Sequence, residues 1–480
     1  MSRNRTRTGA PAQWSRRKFL GLAAGAATVA AAPRAVRAAA PPDVVVIGAG
    51  LAGLHAALLL EEQGATVRVL EGSGRIGGRM YTLDDVPTAP ETGGTQVGQF
   101  YARVIDTAQR LGVGVVETPP GARFQGFAIH VNGELVAPAQ WAASSANRLP
   151  EADRRTPPSG LLPGYLGRAN PLRALDDWQK PEFARFDVPA DEFLKAQGAS
   201  PEALRLMGNN LNANTLPALS ALGLMRSVAI VMAGPQPSKQ YEIAGGSARL
   251  PEAMAKALKG GVDLRQRVTA IRSRGDSVEV RTADGFRHRA RYAVVTIPFS
   301  VLRDVALYPA PTALQAEAIS SLPYTRITQV HMSARRPFWE DGLPPSMWTD
   351  TALGRLFALG TAQNGGHGLV VWVTGPNADA LDSRPEAEVA TWVKAALKRL
   401  RPSTNGEFDV HRVVSWQKNP YQRGAYYHWA PGQVQRLAPH VATPLDRIHF
   451  AGEHTAKLMS GMEGAMESGE RAALEVLERL

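Results

Sequence analysis

Four consecutive apolar residues, Val44 to Ile47, precede a glycine-rich turn. An unbroken β-branched run this short predicts a strand buried on both faces, since a strand with one wet face would alternate. The Leu- and Ala-rich segment from about Leu51 to Gln63 predicts a helix, and Thr66 to Leu70 predicts a second strand that ends at Glu71. Near the other terminus, "RIHFAGEHTAKLMSGMEGAMESGERAALEVL" predicts a strand ending at Phe450, a turn at Gly452-Glu453 and a helix from about Met462. The stretch Leu149 to Asn170, rich in Pro, Gly and Arg, predicts a surface excursion. A further apolar run, Phe19 to about Ala32, is shorter than the roughly 20 residues that a bilayer of about 30 Å requires. Nothing after residue 40 reads as a membrane span.

That first apolar run follows Arg16 and Arg17 and is followed by Ala35, Ala38, Ala39 and Ala40, the small residues expected near a signal-peptidase cut. The order Ser-Arg-Arg-x-Phe-Leu resembles a twin-arginine (Tat) signal, which implies export to the periplasm by the Tat machinery after folding. Its removal changes the charge. Residues 1–40 hold eight of the 54 basic side chains and none of the 43 acidic ones, which leaves the remainder at 46 against 43. A chain that is nearly neutral once trimmed gives no reason to expect nucleic acid or stable membrane insertion.

No cysteine is present, which excludes disulfides, thiolate metal sites, iron–sulfur clusters and cysteine nucleophiles. The ten histidines show no metal-ligand spacing, and no metal is expected. About 440 residues beyond the leader exceed what one core usually supports, so two intimately connected domains are expected.

The turn after Ile47 carries Gly48, Gly50 and Gly53, the G-x-G-x-x-G spacing, between a strand and a helix. In that context the first glycine allows a tight turn, the second lets backbone approach a pyrophosphate, and the third lets helix and strand pack closely. The helix N-terminus directs unpaired N–H groups and partial positive charge at the phosphates. Glu71 stands where a ribose 2′-hydroxyl is bound, so the expected ligand is FAD or NAD and not NADP.

The next residues, "GSGRIGGRM" with Arg75, Gly77, Gly78 and Arg79, resemble the second glycine pair of the flavin amine oxidase superfamily, and "ETGGTQVG" with Gly94 resembles its loop beside the isoalloxazine. The C-terminal "GEHTAKLMSGMEGAMESGE" and the middle segments "EIAGGSARLPEAMAKAL" and "LRQRVTAIRSRGDSVEVRTADGFRHRARYAVVTIP" resemble the same family. The resemblance covers most of the chain. It implies an α/β fold in which a Rossmann-like FAD-binding domain of the GR2 type (41–100, 241–300 and 431–480) is interleaved with an α+β substrate-binding domain (101–240 and 301–430), after a signal at 1–40. It also implies that FAD is held by Gly48, Gly50, Gly53, Glu71, Arg79, Gly94, Val268 (at the adenine), Gly452, Glu453 and Met462.

On the substrate side, "VVSWQKNPYQRGAYYHWAPGQ" resembles the monoamine oxidase segment that walls an aromatic cage, with Tyr426 as the cage tyrosine and Trp416 in the same stretch among the catalytic candidates. The cage orients a small-molecule amine for hydride transfer to flavin N5. Ala425 stands where monoamine oxidases carry the flavin-linked cysteine, so FAD is expected to be noncovalent. The second cage tyrosine is replaced by Ser460-Gly461, which leaves Tyr427, Trp429 or Met459 to rebuild that wall. In "YTRITQVHMSARRPFW", Gln329 falls at the position of a lysine that many family oxidases hold near N5. O2 or a periplasmic acceptor such as a c-type cytochrome then takes the electrons. Gln96 falls where L-amino acid oxidases hold a carboxylate-binding arginine, which favours an amine without an α-carboxylate, unless an arginine from the 220s or 320s substitutes. His454 is expected to pack behind the site. An L-amino acid oxidase or deaminase and a flavin desaturase are the rival activities, and "GMEGAMESGERAA" speaks against the desaturase. A non-catalytic flavoprotein is the rival of another class.

Overall fold

In the computed structural model, which describes residues 41–118, 126–234, 239–361 and 367–480, the apolar run Val44–Ile47 is a strand with every side chain buried. The expected leader at 1–40 lies outside the described residues. Val44–Ile47 is the middle strand of a five-stranded parallel sheet in the order 262–263, 67–70, 44–47, 292–295, 448–450. The register is regular, Val44 facing Val67 on one side and Tyr292 on the other. Burial on both faces explains the missing alternation. One face carries the helix Leu51–Glu62, which packs on the C-terminal helix Gly461–Leu477. The five strands come from three stretches far apart in sequence, so the sheet is complete only when the last stretch joins it.

A four-stranded sheet (287–290, 277–282, 268–274, 306–308) adjoins this layer. The other half is built on a seven-stranded sheet in the order 408–415, 327–334, 367–374, 355–361, 347–349, 128–131, 134–136. Its second strand, Ile327–Ala334, is antiparallel to both neighbours, and places Gln329 opposite Trp372 and Val414. The next pair places Arg355 opposite Trp372. The molecule is therefore an α/β layer joined to an α+β half, with helices 158–169, 201–208 and 221–233 against the latter. Among the described residues no helix is long and apolar enough to cross a membrane.

The stretch Leu149 to Asn170 departs from expectation. Residues Pro158–Ala169 form an α-helix whose Leu161, Tyr165 and Leu166 are buried, and Tyr165 donates from its hydroxyl to Asp153 at 2.6 Å. Proline in the first helical turn forfeits no intrahelical hydrogen bond. The i, i+4, i+5 spacing of the large apolar groups supplies a face for the core. Composition masked that spacing.

Candidate active site

The glycine turn is built as its spacing requires. A Cβ on Gly53 would stand 2.0 Å from the Gly48 carbonyl oxygen, so the helix sits against the turn only because that atom is absent. Gly50 is different. Its backbone is extended (φ −84°, ψ 179°), and the nearest atom to a built Cβ is Gly78 Cα at 4.0 Å. The protein itself leaves that space open, and a close-approaching ligand is what would fill it. Glu71, at the end of the second strand, accepts from the N–H groups of Ala49 and Ser73 at 2.9 and 2.8 Å. Those bonds fix its carboxylate at the rim while leaving lone pairs for hydroxyl donors.

These residues line a cavity of about 330 Å³ that also has Arg79, Gly94, Val268, Gly452, Glu453 and Met462 in its wall. The cofactor-binding residues expected from sequence are thus within or beside one cavity, Gly53 lying just behind its wall. Arg79 donates to Glu453 at 2.7 Å and to the Ala425 carbonyl at 3.1 Å. This pair joins the "RIGGR" loop to the C-terminal turn. Open space over Gly50, an anchored acid at the strand end and a helix N-terminus together fit a dinucleotide. Trp416 and Tyr426 complete the same wall.

At that end, Trp416, Ile327 and Ala425 are buried together, with Tyr426, Trp372 and Tyr81 packed against them. Tyr426 is held by its backbone. Thr325 N–H donates to its carbonyl at 2.8 Å, and Ala425 N–H donates to the Thr325 carbonyl at 2.9 Å. Its hydroxyl donates to the Asn212 carbonyl at 3.1 Å, and burial pushes the phenol up to about 12. Trp372, missed in the sequence, supplies a further aromatic wall of this cavity. The alternatives named for that role lie elsewhere. Tyr427 and Trp429 line the neighbouring chamber, and Met459 is engaged through its carbonyl by Arg226 at 2.7 Å.

Gln329 does not line the cavity. Fully buried, it donates from Nε2 to the Thr92 carbonyl at 3.0 Å, and its Oε1 lies 3.2 Å from His331 Nε2. Thr92 and Ile327 occupy the wall in front of it. Among the described residues no lysine is in the wall of this cavity. His454 is buried edge-on against Phe299, ring centroids 4.3 Å apart, and burial pushes it down to about 3, leaving it neutral.

A second chamber of about 810 Å³ shares Tyr426, Glu453 and Gly461 with the first. Its apolar wall includes Leu162 and Leu166 of the unexpected helix, with Met207, Leu224 and Trp348. Its charged wall consists of Arg226, Arg355 and Glu453. Gln96, where a carboxylate-binding arginine was sought, lines neither cavity. Arg226 does lie in the chamber, but its guanidinium donates to the Tyr427 hydroxyl at 2.7 Å and to the carbonyls of Ala456 and Met459. A glycine-rimmed cavity with an aromatic end, opening past one tyrosine onto an apolar chamber, can present a small substrate to a bound redox group.

The family model described as "Flavin containing amine oxidoreductase" matches residues 51–477. An L-amino-acid oxidase of Demansia vestigiata is 26% identical, with 91% of this chain and 87% of that protein covered. The flavin-containing amine oxidase A of Sus scrofa is also 26% identical, over 91% and 85% of the two chains. Among solved structures, putrescine oxidase bound to putrescine superposes with a TM-score of 0.74 at 21% identity, over 91% of this chain and 99% of that one.

Proposed function

The chain belongs to the family of flavin containing amine oxidoreductases, and on that premise we propose that it oxidises the C–N bond of a small-molecule amine to an imine, with FAD held noncovalently. The observation that carries this reading is Tyr426, which walls both the glycine-rimmed cavity and the chamber. Bound in the cavity, FAD supplies a two-electron acceptor for the hydride on the carbon that bears the nitrogen. Gly48, Gly50 and the helix N-terminus would hold its phosphates, Glu71 its ribose, and Gly452, Glu453 and Met462 the opposite end. Tyr426, Trp416 and Trp372 orient the amine and keep water from the reacting carbon. Water then converts the imine to a carbonyl compound and ammonia or an amine. The absence of any cysteine, and Ala425 in the wall, support noncovalent binding.

The two electrons leave to O2 or to a periplasmic acceptor such as a c-type cytochrome. The lack of a lysine in the wall, with neutral Gln329 behind it, favours the second route. The Ser-Arg-Arg-x-Phe-Leu leader supports export of the folded, FAD-loaded protein by the Tat machinery.

The test is anaerobic mixing of holoprotein with a panel of amines and L-amino acids. Loss of the flavin's visible band is expected, and no bleaching by any member overturns the reading. Readmitting O2 or adding ferricytochrome c to the reduced protein then identifies the acceptor by the faster recovery.

A pH profile checks the chemistry. Burial holds Tyr426 protonated up to about pH 12, and Trp416, Trp372, Ile327 and Ala425 do not titrate. The rising limb of kcat/KM should therefore belong to deprotonation of the substrate amine, and should move with the amine's own pKa across a substrate series. A limb that stays fixed would assign a base to the protein.

A further inference from the structure

Resting on that reading, we infer that Arg355 is a binding site for an anionic group, and that the natural substrate is an amine bearing a carboxylate. Arg355 lies on the strand 355–361 and lines the large chamber. Among the described residues its one hydrogen bond is to a neutral group, Nη2 donating to Asn212 Oδ1 at 2.5 Å. Its Nε is buried with no partner. No carboxylate pairs with it among the described residues, whereas Arg401 is paired with Asp341. Burial pulls Arg355 down to about 10, a shift that leaves it cationic at any working pH.

The rest of the chamber wall has the same sign. Among the described residues Arg226 has no carboxylate partner either, and the one acid in the wall, Glu453, is engaged by Arg79. The chamber therefore carries uncompensated positive charge in a largely apolar wall. A desolvated cation without a counter-charge is costly, and an incoming carboxylate relieves that cost. Position makes the site relevant to the substrate. Tyr426 donates to the Asn212 carbonyl and Arg355 to the Asn212 side chain, so one residue spans the cage tyrosine and the Arg355 guanidinium. A molecule whose nitrogen lies against Tyr426 can extend an anionic oxygen to Arg355. This arginine comes from neither stretch in which a substitute for Gln96 was sought.

Two carboxylate placements share this chemistry, on the reacting carbon or at the far end of the substrate. The experiment uses holoprotein and matched pairs: L-phenylalanine with 2-phenylethylamine, and 4-aminobutyrate with butylamine. The expected result is that in one pair the carboxylate-bearing member reduces the flavin at a 10- to 100-fold lower KM, and that Arg355→Met removes this advantage by raising the KM of the carboxylate-bearing member far more than that of the plain amine. The pair that responds locates the carboxylate. Arg355→Lys should restore part of the difference. Equal KM within both pairs, or equal damage to both members, overturns the inference.

Binding of benzoate, read as a perturbation of the flavin spectrum, keeps the test independent of turnover. Its affinity should fall at least tenfold in Arg355→Met, and that of benzamide should not. Benzoate binding that depends on Arg355 without any bleaching would sink the oxidation reading alone, and benzoate binding indifferent to Arg355 would sink this one. Thermal unfolding supplies the folding control. Replacing an unpaired buried charge by an apolar side chain of similar length is neutral or stabilising, so Tm should hold or rise.

Discussion

Replacing Gly50 by alanine is expected to give a folded protein that no longer retains its flavin. The extended backbone at Gly50 is open to any L-residue, and the nearest atom to the added methyl is 4.0 Å away. Within the protein the only penalty is a poorer helix cap, about 1 kcal/mol or less. The methyl does, however, occupy the space into which a pyrophosphate must come. Overpacking of about 1–3 kcal/mol corresponds to a roughly 5- to 150-fold weaker Kd. Flavin content after gel filtration, with far-UV circular dichroism as the control, measures both halves of the claim. Gly53→Ala is the contrasting variant, because its methyl meets the Gly48 carbonyl and damages the fold with or without cofactor. Stoichiometric flavin in Gly50→Ala would mean that the phosphates lie elsewhere.

The second large effect is expected at Glu453. Its removal leaves Arg79, about a quarter exposed, with only the Ala425 carbonyl to receive its protons. Breaking a buried pair costs about 3–5 kcal/mol when both charges are fully buried. The partial exposure of Arg79 places Glu453→Ala near the lower end, about 2–3 kcal/mol. Removing both charges should be milder than removing the carboxylate alone, since no cation is stranded. A double-mutant cycle on urea midpoints with Arg79→Ala reads this directly. A single Glu453→Ala midpoint equal to the wild type would show that the pair does not tie the loop to the C-terminal turn.

The nucleotide half of the molecule was legible in the chain because its demands are local. A glycine pattern, a buried strand and an acid at the strand end specify Gly48, Gly50 and Glu71 within some 30 positions, and the same holds for the Gly452-Glu453 turn. The reacting half was legible only in part. Tyr426 sits in a recognisable stretch, but Trp372 and Arg355 are ordinary members of strands. They acquire meaning only through cross-strand register, which pairs them with each other. Gln329 shows the limit of counting along a strand. Its place in "YTRITQVHMSARRPFW" is a local matter, yet the wall in front of it is closed by Thr92, from the strand Glu91–Gly93, 237 residues away. The helix 158–169 was hidden by its prolines and glycines, which as composition spell a loop and as spacing leave an apolar face.

The sheet that closes the flavin cavity has a consequence for the time course of biosynthesis. Its innermost turn, at Gly48, is among the first of the described elements to be made, and its edge strand Ile448–Phe450 and the Gly452-Glu453 turn are among the last. At about 5–20 residues per second, roughly 20 to 80 s separate the two ends of one binding site. During that interval the glycine turn exists without the residues that face it. Cofactor capture is therefore a late event on the ribosome or after release. Every later step that requires the loaded protein is timed by the arrival of the strand Ile448–Phe450 and the turn that follows it.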